Sequence, residues 1–527
     1  MTSVSAPLVS ARCRLALLGA PLWLAACANG PGVGSAPSPA SLPTDWRWLG
    51  RVGYLGDAAD LAELRRQGRA QYLDRQLAAP AADAPALAAQ IAALPLVSGD
   101  EAFRAVREEN RRINQLADAD EKQKARTELY RAGSVASTAA QRRHLLRALY
   151  SPTQLREQMT WFWMNHFNVH VPKGQIRWAV ADYEDRVVRP RVFGRFEDLV
   201  MATLTSPAMQ EYLDNAQSAA GKVNENYARE LMELHTLGVS GGPSGSKYTQ
   251  QDVQELARVL TGVGIEAPNG PPRLNPQRQA QYVHEGLFEF NPNRHDFGPK
   301  TFLGQRIEGS GFGETRQAIS LLVRQRACAV FVSQKLAVYF VSDRPPQALV
   351  ERMADRFQQS GGDIAAVLRV LFLSPELEAA MVAPERKFKD PLQFVVSSMR
   401  LAYVDRQPTN MTPLINWLQQ LGEPLYGRQT PDGYPLTESS WASSGQLVRR
   451  LEIARIIGSG PGVLFAEPDA PAGSRPPSAG FPLLTNRLYY DQIEPQLGPA
   501  TRQALLQTTS QGEWNAVLLS SPEWMQR

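Results

Sequence analysis

Ser151-Pro152-Thr153-Gln154-Leu155-Arg156-Glu157-Gln158-Met159-Thr160-Trp161-Phe162-Trp163-Met164-Asn165-His166-Phe167-Asn168-Val169-His170 is the stretch on which the fold turns. Wound as a helix, its Trp161, Phe162, Trp163, Met164, Phe167 and Val169 surround the axis and leave no polar face. A helix that is apolar all round belongs inside a core. Asn165 and His166 must then be buried too, His166 on the side of Leu155, Met159 and Phe162. A buried imidazole needs a partner or gives up its charge. Three readings of His166 stay open: a core histidine bonded to a carbonyl, a metal ligand, or a proton shuttle. His170 comes one turn later, a spacing that sets two ligands on one face, but Pro172 marks the end of the helix there.

Outward from this segment the chain keeps to helix chemistry. Asp45 to Leu149 is rich in Ala, Leu, Arg, Gln and Glu and holds no alternating β-branched run. Asp100 to Arg131 is strongly charged and reads as a solvated helix pair. Ser151-Pro152, Ser206-Pro207, Ser374-Pro375 and Ser521-Pro522 each set a capping hydroxyl before a proline suited to a first helical turn. Thr249 and Asp252 form a capping-box-like start to a helix with Val253, Leu256, Ala257 and Leu260 on one face. Gly- and Pro-rich loops fall at Gly241–Ser246, Ala267–Pro276, Gly422–Pro435 and Gly458–Pro482. The expected fold class is all-α, a large multi-helix domain with long Gly/Pro-rich loops.

Two more segments carry titratable side chains. In Asn224 to Gly238, Asn224 caps the helix, Glu225 suits its positive end and Gly238 stops it. Tyr227, Leu231 and Leu234 mark the buried stripe, with Glu230 on one flank and His235 on the other, both expected half-buried. His295-Asp296-Phe297-Gly298-Pro299-Lys300 is a loop after the aromatic run Phe288-Glu289-Phe290. Its adjacent His and Asp suit metal binding or proton transfer, or equally an Asx-type turn.

The first residues read as an address. Arg12 and Arg14 precede the apolar stretch Leu15–Ala26, which is too short to span a bilayer and ends in Leu24-Ala25-Ala26-Cys27. That order is a lipobox, with Cys27 the expected lipidation site and no aspartate after it to retain the protein at an inner membrane. The expected organisation is a lipoprotein signal peptide over 1–26, a flexible tether over 27–44, an N-terminal helical region over 45–150 and the main helical domain over 151–527. The net charge of +4 falls to +2 without Arg12 and Arg14, too near neutral for nucleic-acid binding. Of three cysteines only Cys328 stays in the body, in an apolar helical context that suits an inert thiol. Ala327–Val341 is interrupted by Gln334 and Lys335 and is no membrane span. The chain carries no Gly-x-Ser-x-Gly elbow, P-loop, dinucleotide fingerprint or Cys-rich metal motif.

Phe162–Val169, Asn224–Gly238, Tyr248–Val253, Ala257–Gly262, His295–Gly304, Lys387–Pro391 and Gly427–Pro435 together resemble the bacterial family known as domain of unknown function 1800. The resemblance runs from about Trp46 to Arg527. It departs at Val263, where the family usually has Trp, at an insertion over Gly241–Lys247, and at His170, which lies outside the family pattern. It fits only loosely around Arg51–Asp57. The resemblance implies a helical, exported protein that often occurs beside sulfatase-like proteins (domain of unknown function 1501), and it brings no established reaction.

Two functions remain open. One is a cell-envelope enzyme, a hydrolase or metal-dependent enzyme, gathering His166, Glu230, His235, His295 and Asp296 for acid–base work or, with a divalent metal, for activating water. Four of the six histidines lie in or beside the motif segments. The other is a non-catalytic helical scaffold or partner of the sulfatase-like protein. Either would sit at the outer membrane through its lipid alone, facing the periplasm or the cell surface.

Overall fold

The structure is a computed structural model and describes residues 42–239, 248–268, 270–404, 406–466 and 480–527. The leader, Cys27, most of the tether, the Gly241–Lys247 insertion and most of the Gly458–Pro482 loop lie outside the described residues. Leu42–Arg527 forms one compact unit built of helices. Among the described residues no helix is long and apolar enough to cross a membrane.

The helix Gln154–His166 is buried from its first residue to its last, as its apolar circumference requires. It carries charge inward all the same. Glu157 takes a two-pronged contact from Arg189, and Arg156 bonds the carbonyls of Ala79 and Arg189. Arg143, Arg147 and Arg189 share Asp83, Asp185 and Glu157 in one buried network beside it. The N-terminal helix Leu42–Val52 is tied to the rest by Trp48, whose indole donates to the Phe372 carbonyl at 2.9 Å.

Local signals hold in detail at several ends. Thr249 and Asp252 make a reciprocal capping box on the helix Gln250–Val259, Ser374 caps Pro375–Val382, and the Asn224 side chain accepts from the Asn226 amide. Gly238 stops its helix at φ +86, a conformation that favours glycine. Two of the Ser-Pro signals lead elsewhere. After Ser151-Pro152 the Ser151 hydroxyl accepts from the Thr153 amide and the helix starts only at Gln154, while the Ser521 hydroxyl accepts from the Trp524 amide over a short turn.

The all-α class stands, with five three-residue strands added among the described residues between Val263 and Ile307. Val263–Ile265 and Val283–Glu285 flank Phe288–Phe290 in an antiparallel sheet, and Lys300–Phe302 pairs with Gln305–Ile307 across a Leu303-Gly304 turn of positive φ. Such strands are too short for an alternating pattern to be visible in sequence.

Candidate functional site

The segment Asn224–Gly238 begins as the α-helix Glu225–Glu230 and continues as the π-helix Leu231–Thr236. The wider winding inserts an extra residue per turn and rotates the residues beyond it. His235, placed on a half-buried flank by α-helical spacing, is carried inward to 1 % exposure, while Glu230, before the change, stays half-buried.

His235 meets His166 there. The two rings stand 5.9 Å apart, and His166 Nε2 donates to the His235 carbonyl at 2.9 Å. A carbonyl only accepts, so Nε2 carries the proton and the bare nitrogen of His166 is Nδ1. That Nδ1 and the Nε2 of His235 are both buried without a hydrogen-bond partner. Phe167, Phe196 and Phe331 wall the pair. Burial, with the nearby Lys335 charge and His235, drives His166 well below the usual histidine value. Burial and Lys335 push His235 down to about 3. Both imidazoles are therefore neutral near pH 7.

Lys335 lies on the helix Arg326–Phe340, one turn after Phe331. It is half-buried, its ammonium 5.5 Å from the Phe331 ring, with no hydrogen bond or ion pair to any described residue. Burial pushes its pKa down to about 8, against the opposing pull of Asp432. Glu230 is raised by burial and by Glu233 and Asp432. Asp432 itself, at the exposed rim, pairs with Arg428 at 3.0 Å and accepts from Thr430.

The loop that carries Asp432 is held by the same helix that carries His166. Asn165 closes a double hydrogen bond on the Tyr434 backbone, donating at 2.9 Å and accepting at 2.6 Å. Asn168 donates to the carbonyls of Arg428 and Thr430 at 3.0 Å each, and the Tyr212 hydroxyl donates to Gln429 at 2.8 Å. Gly433, at φ +76, lets the chain pass so close that a Cβ would stand 2.2 Å from the Asn165 carbonyl. The asparagines on either side of His166 are thus a clamp on the Gly427–Pro435 loop.

The other two expected site residues are engaged differently. His295 is fully enclosed: Nδ1 meets the Thr261 carbonyl at 2.7 Å and Nε2 meets Glu314 at 2.8 Å. Lys300, equally buried, bonds the other Glu314 oxygen at 2.5 Å and the Asp296 carbonyl. Burial alone would raise Glu314, but the bonds from His295 and Lys300 hold it below the usual carboxylate range. Asp296 turns away to Arg258 at 2.8 Å and accepts from the Gly298 amide, which is the Asx-type turn open to it from sequence. The helix ends at His166, so His170 does not continue its face.

Among the described residues no three His, Cys, Asp or Glu side chains stand together so as to hold a metal ion. The donor set at His166 and His235 does not fit the divalent metal considered from sequence. The set is two neutral imidazoles, each with an unpartnered nitrogen, beside an amine whose pKa burial pushes down to about 8, groups able to pass a proton near neutral pH. Sequence reasoning reaches His166, Glu230 and His235 and misses Lys335 and Asp432. Lys335 has a signal, a single lysine inside the apolar run Ala327–Val341, but from sequence it serves only to argue against a membrane span.

Neither a curated protein nor a solved structure matches the chain. Residues 47–526 match the family described as protein of unknown function (DUF1800), nearly the whole chain, and the protein belongs to that family.

Proposed function

We propose that the protein is an exported, lipid-anchored envelope enzyme whose metal-free acid–base site is built from His166, His235 and Lys335, with Glu230 and Asp432 at its rim. The observation that carries this reading is Lys335, an amine with no ion pair or hydrogen bond to any described residue, set beside two neutral imidazoles. An unpaired, half-buried ammonium is costly to a fold and useful where a proton must move near neutral pH. In this site Lys335 exchanges the proton, and the histidines, neutral and walled by phenylalanines, keep water and competing charge away. The lipid anchor rests on the order of residues up to Cys27, and Cys27→Ser should abolish incorporation of labelled palmitate.

Pulse acetylation at a series of pH values, read by mass spectrometry, tests the site. Lys335 should show a midpoint near 8, and wild type but not Lys335→Met should turn over at least one of a panel of chromogenic esters, amides and glycosides. An ordinary lysine midpoint, with no turnover across the panel, would sink the enzyme reading.

The second reading, a scaffold for a sulfatase-like protein (domain of unknown function 1501), is favoured by the helix Ser444–Ser459. Its Leu447, Val448 and Leu451 are 41, 55 and 45 % exposed on adjoining turns. Capture of that partner by wild type and not by Val448→Asp would decide for it.

A further inference from the structure

A second concentration of charge lies beside the N-terminal helix. A narrow cavity of about 40 Å³ is walled by Trp46, Leu518 and Trp524 and bears the cations Arg47, Arg386, Lys389 and Arg527. By the volume a buried water needs, about 10–15 Å³, this admits about three waters or one small head group.

Among the described residues none of these four, nor the wholly buried Arg51 beside them, makes an ion pair. Arg51 donates once, to the Phe340 carbonyl at 3.0 Å, and its Nε and Nη2 are buried without partners. Arg527 reaches the Tyr339 carbonyl, with its Nε and Nη1 likewise buried and unpartnered. The Lys389 ammonium rests 3.6 Å from the centre of the Trp524 ring and makes no hydrogen bond to a described residue. Arg386 and Arg47 bond only neutral oxygens of Gln526, Gln496 and Met381.

The nearby acids make their hydrogen bonds elsewhere, although Glu523 attracts Arg386 and Asp390 attracts Arg527 at longer range. Glu523, on the cavity wall, accepts from the Gly498 amide and the Thr501 hydroxyl at 2.8 Å each. Asp390 caps the helix Pro391–Ala402 through the Gln393 amide at 2.7 Å, and Glu423 accepts from the Leu392 amide at 2.9 Å. Arg51 feels Arg527, Arg386 and Arg47 as repulsion, and Lys389 feels Arg450, Arg527 and Arg386 the same way. Buried cations that repel one another oppose folding unless an anion joins them. Guanidinium forks match the oxygens of phosphate-class anions, and the apolar wall suits a hydrocarbon chain leaving the head group.

We propose that this cavity binds an oxyanion of the phosphate class, free or as the head of an apolar-tailed ester, held by Arg386, Lys389 and Arg527, the cationic side chains on its wall that lack an ion pair. The site is separate from the acid–base cluster in every residue it uses.

Thermal unfolding and calorimetry on the lipid-free chain test it, with inorganic phosphate and hexyl phosphate against chloride at matched ionic strength. A saturable rise in Tm with either phosphate is expected, and at least tenfold weaker binding in Arg386→Gln, a half-buried position that spares the core. Equal affinity for both probes identifies the free ion; tighter binding of hexyl phosphate identifies the ester. No rise beyond that of chloride, or unchanged binding in Arg386→Gln, overturns the proposal.

Discussion

The enclosure around His295 and the cluster around His166 draw on the same chemistry, histidine with lysine and carboxylate, and come out opposite. At His295 both ring nitrogens, both Glu314 oxygens and the Lys300 ammonium have partners within 2.8 Å. At His166 and His235 one nitrogen of each ring is buried with nothing to bond, and Lys335 has neither acceptor nor counter-ion among the described residues. A closed network holds a fold together; an open one leaves capacity for a ligand or a proton. A histidine beside an aspartate in a motif therefore says less about chemistry than the atoms left unpartnered around it.

The contrast breaks most easily at Glu314. Replacing it by Gln leaves Lys300 charged and buried, and should cost about 3–5 kcal/mol in denaturant unfolding. A loss under about 1 kcal/mol would mean the enclosure is not what fixes that corner. Asn165→Ala removes both bonds to the Tyr434 backbone and should cost about 1–3 kcal/mol, with faster amide exchange confined to the Gly427–Pro435 loop.

Acid sharpens the difference. His166 and His235 have folded pKa values below the ordinary 6.5, so the unfolded chain binds more protons than the folded one between those values. Their contribution is fully present above pH 6.5 and is lost as pH falls, by up to about 1.4 kcal/mol per pH unit for each histidine. His235→Gln should flatten the pH dependence of stability below pH 6.5. Glu314, held below its ordinary 4.5, acts lower: its contribution is present above that value and fades as pH falls through the folded pKa. The smallest effect belongs to Lys335→Met, which removes an unpaired charge and should change stability by no more than about 1 kcal/mol in either direction. A loss as large as that of Glu314→Gln would show that Lys335 is structural and would erase the contrast.

Much of the scaffold is legible in the sequence. The apolar circumference of Gln154–His166 requires burial, and the Thr249–Asp252 box, the Asn224 cap and Gly238 mark helix ends because each depends on a few adjacent residues. The site is half legible. His166, Glu230 and His235 fall in segments that read clearly, but the inward turn of His235 depends on a π-helical winding that no local pattern announces. Lys335 lies far along the chain from both histidines and Asp432 farther still, so no spacing rule connects them.

By itself the sequence determined the helical class, the burial of its most aromatic helix and the family, since hydrophobic periodicity, caps and long motifs are written in neighbouring residues. Only the tertiary structure decided which histidine is sealed and which is open. That choice rests on whether a distant carboxylate, Glu314 in one case and none in the other, arrives within hydrogen-bond reach of a buried ring.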